Sequence, residues 1–261
     1  MHVRRTSVAQ HQARGGEVFI RARGRRGGFT VIDVLVTMAV IAVLISLLSP
    51  SLTSIRESAR QIVCRSDVRQ IGIGISMFAE THRDRVPYTV NMPTSSGGQP
   101  WETMDLRLDA TGPDPGLWDG LGYLVKDELV EPAKVYYCPS HHGHHPYPDY
   151  SSAWAGRNDA IVGNFQYRPW GPGRRPSASN AMPNPTNKLS QMYPSIALVA
   201  DGMRTQEDFN HRIGANVLRA GLSVEWWRDQ SGRLSDGLPK DGQAPSSQSI
   251  GDAWHWLDDP S

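Results

Sequence analysis

The sequence is poor in cysteine: it has only two, Cys64 and Cys138, among 261 residues. Neither belongs to a Cys-x-x-Cys pair, which excludes zinc-ribbon and thioredoxin-type motifs. Two such residues form a stable disulfide in an oxidising compartment, and otherwise they are commonly buried thiols. Their positions alone leave both states open.

Catalytic motifs are also lacking. The chain contains no nucleophile elbow, metalloprotease helix, phosphate-binding loop or Gly-rich dinucleotide fingerprint. His211, Asp201 and a serine can be combined into a triad on paper, but a chain of this length permits many such combinations. We therefore predict that the protein is not an enzyme.

Acidic residues are almost absent from the first 28 positions. That segment carries seven arginines and one glutamate, a net charge of +6, so the formal +1 of the whole chain leaves −5 for residues 29–261. A basic segment ahead of an apolar run is typical of membrane targeting, and an acidic remainder argues against a nucleic-acid partner. We predict that residues 1–28 form a cytoplasmic leader.

Charge is absent altogether between Val34 and Ile55, a run of 22 residues. As a helix, this run is long enough to cross a hydrocarbon core of about 30 Å. The arginines before it should remain in the cytoplasm under the positive-inside rule, which places the rest of the chain outside. We assign residues 29–50 to a transmembrane helix.

The helix is predicted to continue beyond the membrane, because apolar residues recur at spacings of three or four while charged residues occupy the other faces. One helix from Phe29 to about His82 accommodates this pattern, and Pro87 ends it at the latest. Residues 51–86 are thus an amphipathic continuation of the helix, and residues 87–261 form an extracytoplasmic head.

Local patterns in the head predict a small antiparallel sheet. Ala215–Arg219 and Ser223–Arg228 flank a turn and form a hairpin, and Ile196–Ala200 has the pattern of a buried strand. Elsewhere we predict a short helix at Leu117–Leu129 and a further strand at Val135–Cys138. Residues 139–190 are predicted to form a long irregular stretch, and the tail from Ser231 is predicted to be polar and turn-rich. The fold class is α+β, with three to five strands laid against the long helix.

The segment at 25–36 reads Arg-Arg-Gly-Gly-Phe-Thr-Val-Ile-Asp-Val-Leu-Val. It resembles the cleavage and methylation motif of type IV prepilins and type II secretion pseudopilins, and the resemblance implies a pilin-like fold. It also implies that a prepilin peptidase cleaves after Gly28 and methylates Phe29, the new N-terminus. Pro50 falls where pilins often carry a helix-loosening proline.

Asp33 occupies the position where the resembling proteins usually have glutamate, an acid that is thought to pair with the N-terminal amine of a neighbouring subunit. A carboxylate inside a span costs about 2.5–3.5 kcal/mol on insertion scales, so Asp33 is a functional candidate. Asp is one methylene shorter than Glu and reaches less far between helices. The alternative interpretation is that Asp33 only extends to the nearby membrane interface.

Later segments resemble a large bacterial family of pseudopilin-G-like proteins whose head has no known function. They are Cys64–Gly72, Tyr137–Ser140, Ala197–Gly202 and His211–Leu218. The first cysteine is predicted on the helix and the second at the end of a strand that crosses it, so a disulfide between Cys64 and Cys138 follows as a hypothesis. Closing a loop of about 75 residues adds on the order of 4 kcal/mol in the chain-entropy model.

Two groups of residues are candidate metal ligands, although no cofactor is expected. A loop carries four histidines that suit Zn²⁺ or Cu²⁺, namely His141, His142, His144 and His145, but Gly143 and Pro146 favour a solvated, irregular loop. Some pseudopilins hold Ca²⁺ in a C-terminal loop through Asp and carbonyl oxygens, and Asp252, Asp258 and Asp259 are the candidates for that role here. They lack the spacing of an EF-hand.

The resemblance therefore implies a subunit with one pass through the inner membrane and a periplasmic head, assembled into a type II secretion pseudopilus or a type IV-pilus-like fibre. Its implied partners are the prepilin peptidase, other pilin-like subunits and the membrane. The alternative is a membrane-tethered module that binds a sugar, a metal or a secreted protein and does not assemble.

Overall fold

A computed structural model describes residues 28–91, 103–109, 116–156, 159–172 and 185–259. The predicted leader, apart from Gly28, lies outside the described residues. The chain divides into two compact units, Met1–Pro50 and Ser51–Ser261. Helix α1, Val31–Thr81, begins in the first unit and ends in the second, close to the predicted bounds of Phe29 and His82.

The N-terminal unit consists of apolar helix without a covering layer. Every residue from Gly28 to Leu47 is exposed, and Phe29 is 86% exposed. No single helix among the described residues is long and apolar enough to cross a membrane. The segments Val31–Leu47 and Leu52–Thr81 of α1 meet the length and composition criteria only when they are taken together.

In the second unit, one side of α1 is buried. Its buried residues recur every three or four positions, and they are Cys64, Val68, Ile71, Ile75 and Phe78. Gly72 lies on the same side of the helix, where a Cβ would come within 2.7 Å of the Leu218 side chain. Glycine therefore lets the helix approach the sheet closely at this point.

The head contains four further helices and eight strands within the described residues. The helices are α2 (Gly122–Lys126), α3 (Tyr147–Ala155), α4 (Arg233–Gly237) and α5 (Ser247–Asp258). The strands are β1 (Asp105–Arg107), β2 (Ile161–Val162), β3 (Phe165–Tyr167), β4 (Gly171–Pro172), β5 (Pro185–Thr186), β6 (Ala197–Asp201), β7 (Gly214–Arg219) and β8 (Val224–Arg228).

The main sheet is antiparallel and has four strands in the order β3-β6-β7-β8. Its hairpin, β7 with β8, confirms the prediction for that segment, with Asn216 opposite Trp226. Strand β6 confirms the buried strand, shifted by one residue, and pairs Val199 with Leu218. The α+β class and the long helix packed on a small antiparallel sheet are thus confirmed.

Both faces of this sheet are covered. Val199 and Leu218 belong to the core on the α1 side. Their neighbours Ala200 and Val217 point to the opposite face and pack in a second core with residues of α4 and α5, such as Trp254. This second layer explains why β6 and β7 are buried along their whole length.

Three predictions for the head are corrected. Val135–Cys138 is not a strand, because Ala133–Tyr136 forms a 3₁₀ turn with Val135 N–H donating to the carbonyl of Pro132. The region 139–190 is less irregular than expected, since it holds α3 and four strands, of which β3 joins the main sheet. Helix α2 is shorter than predicted.

The C-terminal tail is not simply polar and turn-rich. It contains α4 and α5, and α5 begins with a capping box in which the Ser246 hydroxyl accepts from Ser249 N–H. The apolar face of α5 repeats at helical spacing and consists of Ile250, Ala253, Trp254 and Leu257. A serine in place of the usual Glu or Gln at the third position hid this helix start from sequence reasoning.

Candidate functional site

The predicted processing segment lies at the start of α1. Gly28 and Phe29 precede the helix and are exposed. Thr30 and Asp33 form a reciprocal cap: Thr30 N–H donates to Asp33 Oδ2 at 2.9 Å, and Asp33 N–H donates to Thr30 Oγ1 at 3.3 Å. Asp33 thus takes part in capping the start of the helix, in addition to carrying charge. Pro50 lies within α1, and its role stays a prediction.

A second site is formed by four buried side chains that come from distant parts of the chain. Cys64 lies on α1, Cys138 follows the 3₁₀ turn, Asp201 ends β6, and His211 precedes β7. One donor atom from each lies within 4.8 Å of the donor atoms of the other three. Among the described residues this is the group whose ligand atoms converge in this way.

The distances within this donor cluster are short. The Cys64 thiol donates to Asp201 Oδ1 at 2.9 Å, and Cys138 Sγ lies 3.5 Å from His211 Nε2. His211 Nε2 lies 3.8 Å from Asp201 Oδ2. Both cysteines are free thiols in the structure, so the predicted disulfide stays a prediction.

Asp201 is anchored by neighbours on the sheet side. Its Oδ2 accepts from Asn216 N–H at 2.5 Å and from Asn216 Nδ2 at 3.2 Å. Its Oδ1 accepts from Asn210 Nδ2 at 3.2 Å. Because Asp201 is fully buried, these bonds replace the hydration that the carboxylate loses.

His211 is oriented from outside the donor cluster by Glu57. The His211 Nδ1 atom lies 2.7 Å from Glu57 Oε1, which leaves Nε2 directed towards Cys138. Ser140 Oγ donates to both Glu57 oxygens, at 2.8 and 2.9 Å. Glu57 therefore fixes the ring orientation of His211.

Burial and neighbouring charge shift the pKa values of these groups. Burial raises the pKa of Cys64 well above its usual value, and contact with Cys138 and Asp201 adds to the effect. Burial also raises the pKa of Cys138, but hydrogen bonds from Cys64 and His211 outweigh it and lower the pKa overall. Burial lowers the pKa of His211, yet Cys138 and Asp201 outweigh it and raise it to about 9.

A groove of about 570 Å³ runs beside the donor cluster, and Cys138 forms part of its wall. Val63, Lys134 and Tyr147 line other parts of it. Asp67 also faces the groove, and burial raises the pKa of its carboxyl to about 7. Cys138 is therefore the member of the donor cluster that borders the groove.

The loop histidines that were weak metal candidates are engaged separately. His141 Nδ1 lies 2.8 Å from Asn210 Oδ1, His144 Nε2 lies 2.6 Å from Asp241 Oδ1, and His145 Nδ1 lies 2.6 Å from the Tyr150 hydroxyl. His142 is exposed. The converging donor group contains none of these four residues.

The three acidic residues near the C-terminus also have different environments. Asp258 accepts two hydrogen bonds from the Arg168 guanidinium and one from Ala197 N–H. Asp252 and Asp259 are exposed. Asp258 therefore ties α5 to the sheet.

Sequence reasoning named both cysteines but missed their partners. Asp201 and His211 were considered only as members of a hypothetical triad, and Glu57 was not singled out. The sequence did offer a signal for this site in four segments. Two of them begin at Cys64 and His211, and two contain Cys138 and Asp201. Each segment contributes one residue to the donor cluster.

Comparison with known proteins finds one informative relative. The chain is 27% identical to the type II secretion system core protein G of Pseudomonas aeruginosa over 151 residues, which covers 55% of this chain and 97% of that protein. No protein-family model matches the chain, and no solved structure matches it. The similarity supports a pseudopilin-like role at the family level, that of a structural subunit and not of an enzyme.

Proposed function

We propose that this protein is a pseudopilin-type subunit that is anchored in the inner membrane and assembled with other pilin-like subunits. A prepilin peptidase removes residues 1–28 and methylates Phe29. Residues 29–50 then lie in the membrane, and the head lies outside the cytoplasm. The subunit joins a type II secretion pseudopilus or a type IV-pilus-like fibre.

The exposed apolar helix carries this proposal. From Val31 to Leu47, α1 has large apolar side chains on all sides, and none of its residues is even partly buried. An apolar surface of this extent is stable only in lipid or against other apolar helices. Both environments are those of a subunit that waits in the membrane and then packs into a fibre.

The similarity to protein G adds support, because the aligned stretch accounts for nearly the whole of that relative. The basic leader and the Gly-Phe-Thr-Val-Ile-Asp sequence that follows it are the features expected of a processed subunit. A plain membrane anchor has no need of that arrangement.

Cleavage after Gly28 is expected to leave a mature chain that begins with N-methylated Phe29. Mass spectrometry of the membrane-extracted protein, expressed with a prepilin peptidase, measures this directly. Replacement of Gly28 by Val should retain the leader, because a bulky side chain at this position keeps the protease from closing around the scissile bond. Gly27→Val is the matched control and should be processed. An intact leader on the unmodified protein would refute processing.

Asp33→Ala is expected to be processed normally but to lose most co-assembly, measured by crosslinking to partner subunits. The carboxylate would no longer meet the amine of a neighbouring Phe29, whereas Asp33→Glu would retain assembly. Thr30→Ala is the essential control, because it removes the helix cap at about 0.5–2 kcal/mol and keeps the charge. Equal loss in the Thr30 and Asp33 variants would assign Asp33 to capping instead of pairing.

A further inference from the structure

We propose that the donor cluster is a structural Zn²⁺ site with Cys64, Cys138, His211 and one carboxylate oxygen of Asp201 as its four ligands. Two sulfurs, one imidazole nitrogen and one carboxylate oxygen form a ligand set that zinc favours over Mg²⁺ or Ca²⁺. The site is separate from the processing segment and from the loop histidines.

The spacing of the donors fits a tetrahedral zinc ion. With Zn–S near 2.3 Å and Zn–N or Zn–O near 2.0–2.1 Å, neighbouring ligands of a tetrahedron lie about 3.3–3.8 Å apart. The observed separations are 3.5 Å from Cys138 Sγ to His211 Nε2 and 3.8 Å from that nitrogen to Asp201 Oδ2. The remaining donor pairs lie within 4.8 Å. These separations place the four donors around a common point.

The outer contacts are those that hold zinc ligands in place. Zinc-bound histidines generally donate their second ring N–H to a carboxylate, which fixes the tautomer. His211 has this arrangement, with Nδ1 on Glu57 and Nε2 facing the cluster. Asn210 and Asn216 hold Asp201 in the same manner.

Burial distinguishes this cluster from a catalytic one. Cys138, His211 and Glu57 resemble the order of nucleophile, base and orienting acid in a cysteine hydrolase. However, Cys64 and Asp201 face the same point and are fully buried, while Cys138 and His211 are 4% and 6% exposed. Four protein donors fill a tetrahedron, so no coordination position remains for a substrate. The groove borders the cluster at Cys138.

Zinc binding is tested on the full-length chain extracted in detergent. Thiols are first counted by alkylation without reductant, and the chelator-treated protein is then titrated with Zn²⁺ against a competing chromophoric chelator. We expect two alkylatable thiols in the metal-free protein, one equivalent of Zn²⁺ bound more tightly than about 0.1 µM, and thiolate-to-metal charge transfer with Co²⁺.

Variants locate the ion within the protein. Cys138→Ser should weaken binding by at least about 100-fold, and Glu57→Gln, which leaves all four ligands in place, by about 10–100-fold. His144→Ala is the control for loop binding and should leave the affinity unchanged. Circular dichroism verifies folding, and Glu57→Gln decides the matter if the cysteine variant does not fold.

Several results would overturn the zinc site. A disulfide between Cys64 and Cys138 in the isolated protein, seen as thiols that react only after reduction, assigns the pair to a covalent link. Absence of stoichiometric binding, or loss of affinity in His144→Ala instead of Cys138→Ser and Glu57→Gln, also contradicts it.

Discussion

Replacement of Gly122 by Ala is expected to destabilise the head by about 3 kcal/mol or more. A Cβ at this position would lie 1.8 Å from the Leu106 carbonyl oxygen and 2.7 Å from the Leu106 carbonyl carbon. These are backbone atoms of β1, so no side chain can rotate to make room. Overpacking of this kind forces the backbone apart and usually costs about 1–3 kcal/mol, and more where the contact is rigid.

Gly251→Ala is the matched control, because Gly251 also lies in a helix but a Cβ there meets no atom within 4 Å. Alanine should raise the stability of α5 by about 0.5–1 kcal/mol through helix propensity. The unfolding midpoint of the full-length protein, followed by tryptophan fluorescence, measures both changes. Shifts of the same sign and size in the two variants would contradict the packing argument.

Asp201→Ala is expected to cost about 3–5 kcal/mol in the free energy of unfolding. The side chain is fully buried and accepts hydrogen bonds from the Cys64 thiol, from Asn210 and from both the backbone and side chain of Asn216. Its removal leaves several buried donors without an acceptor, and each such donor costs roughly 1–3 kcal/mol. The carboxylate joins α1 to the sheet.

The free energy of unfolding of the Asp201 variant is measured in buffer that contains a chelator. The difference from the unmodified protein then reports the lost hydrogen bonds without a contribution from bound metal. Asp252→Ala is the control, because that residue is exposed on α5 and its loss should change stability by less than about 0.5 kcal/mol. Similar stability for the Asp201 variant and the control would show that the buried network contributes nothing.

Local sequence patterns predicted the elements whose stability depends on near neighbours. The repeat along α1 is visible because residues three and four apart share one face. The β7–β8 hairpin is visible because two apolar strands flank a tight turn. Both required only residues that are close in sequence.

Prediction failed where short segments depend on distant contacts. The run Val135–Cys138 is apolar and brief, and such a run is equally compatible with a strand or a turn of helix. The Tyr136 carbonyl accepts from Asn164 N–H, a contact that no local pattern indicates. Helix α5 was missed for a related reason. Its four apolar residues pack against a sheet face that is distant in sequence, and no local pattern indicates that contact.

By itself, the sequence determined that an apolar run follows a basic segment, since charge and hydrophobicity are read directly from consecutive residues. It also determined where cleavage is expected and that a helix leads into an α+β head. Only the tertiary structure decided that Cys64, Cys138, Asp201 and His211 share one buried site. These four residues come together because α1 packs on the sheet. Packing between distant segments is set by the whole core, so it does not show as a periodic pattern in the sequence.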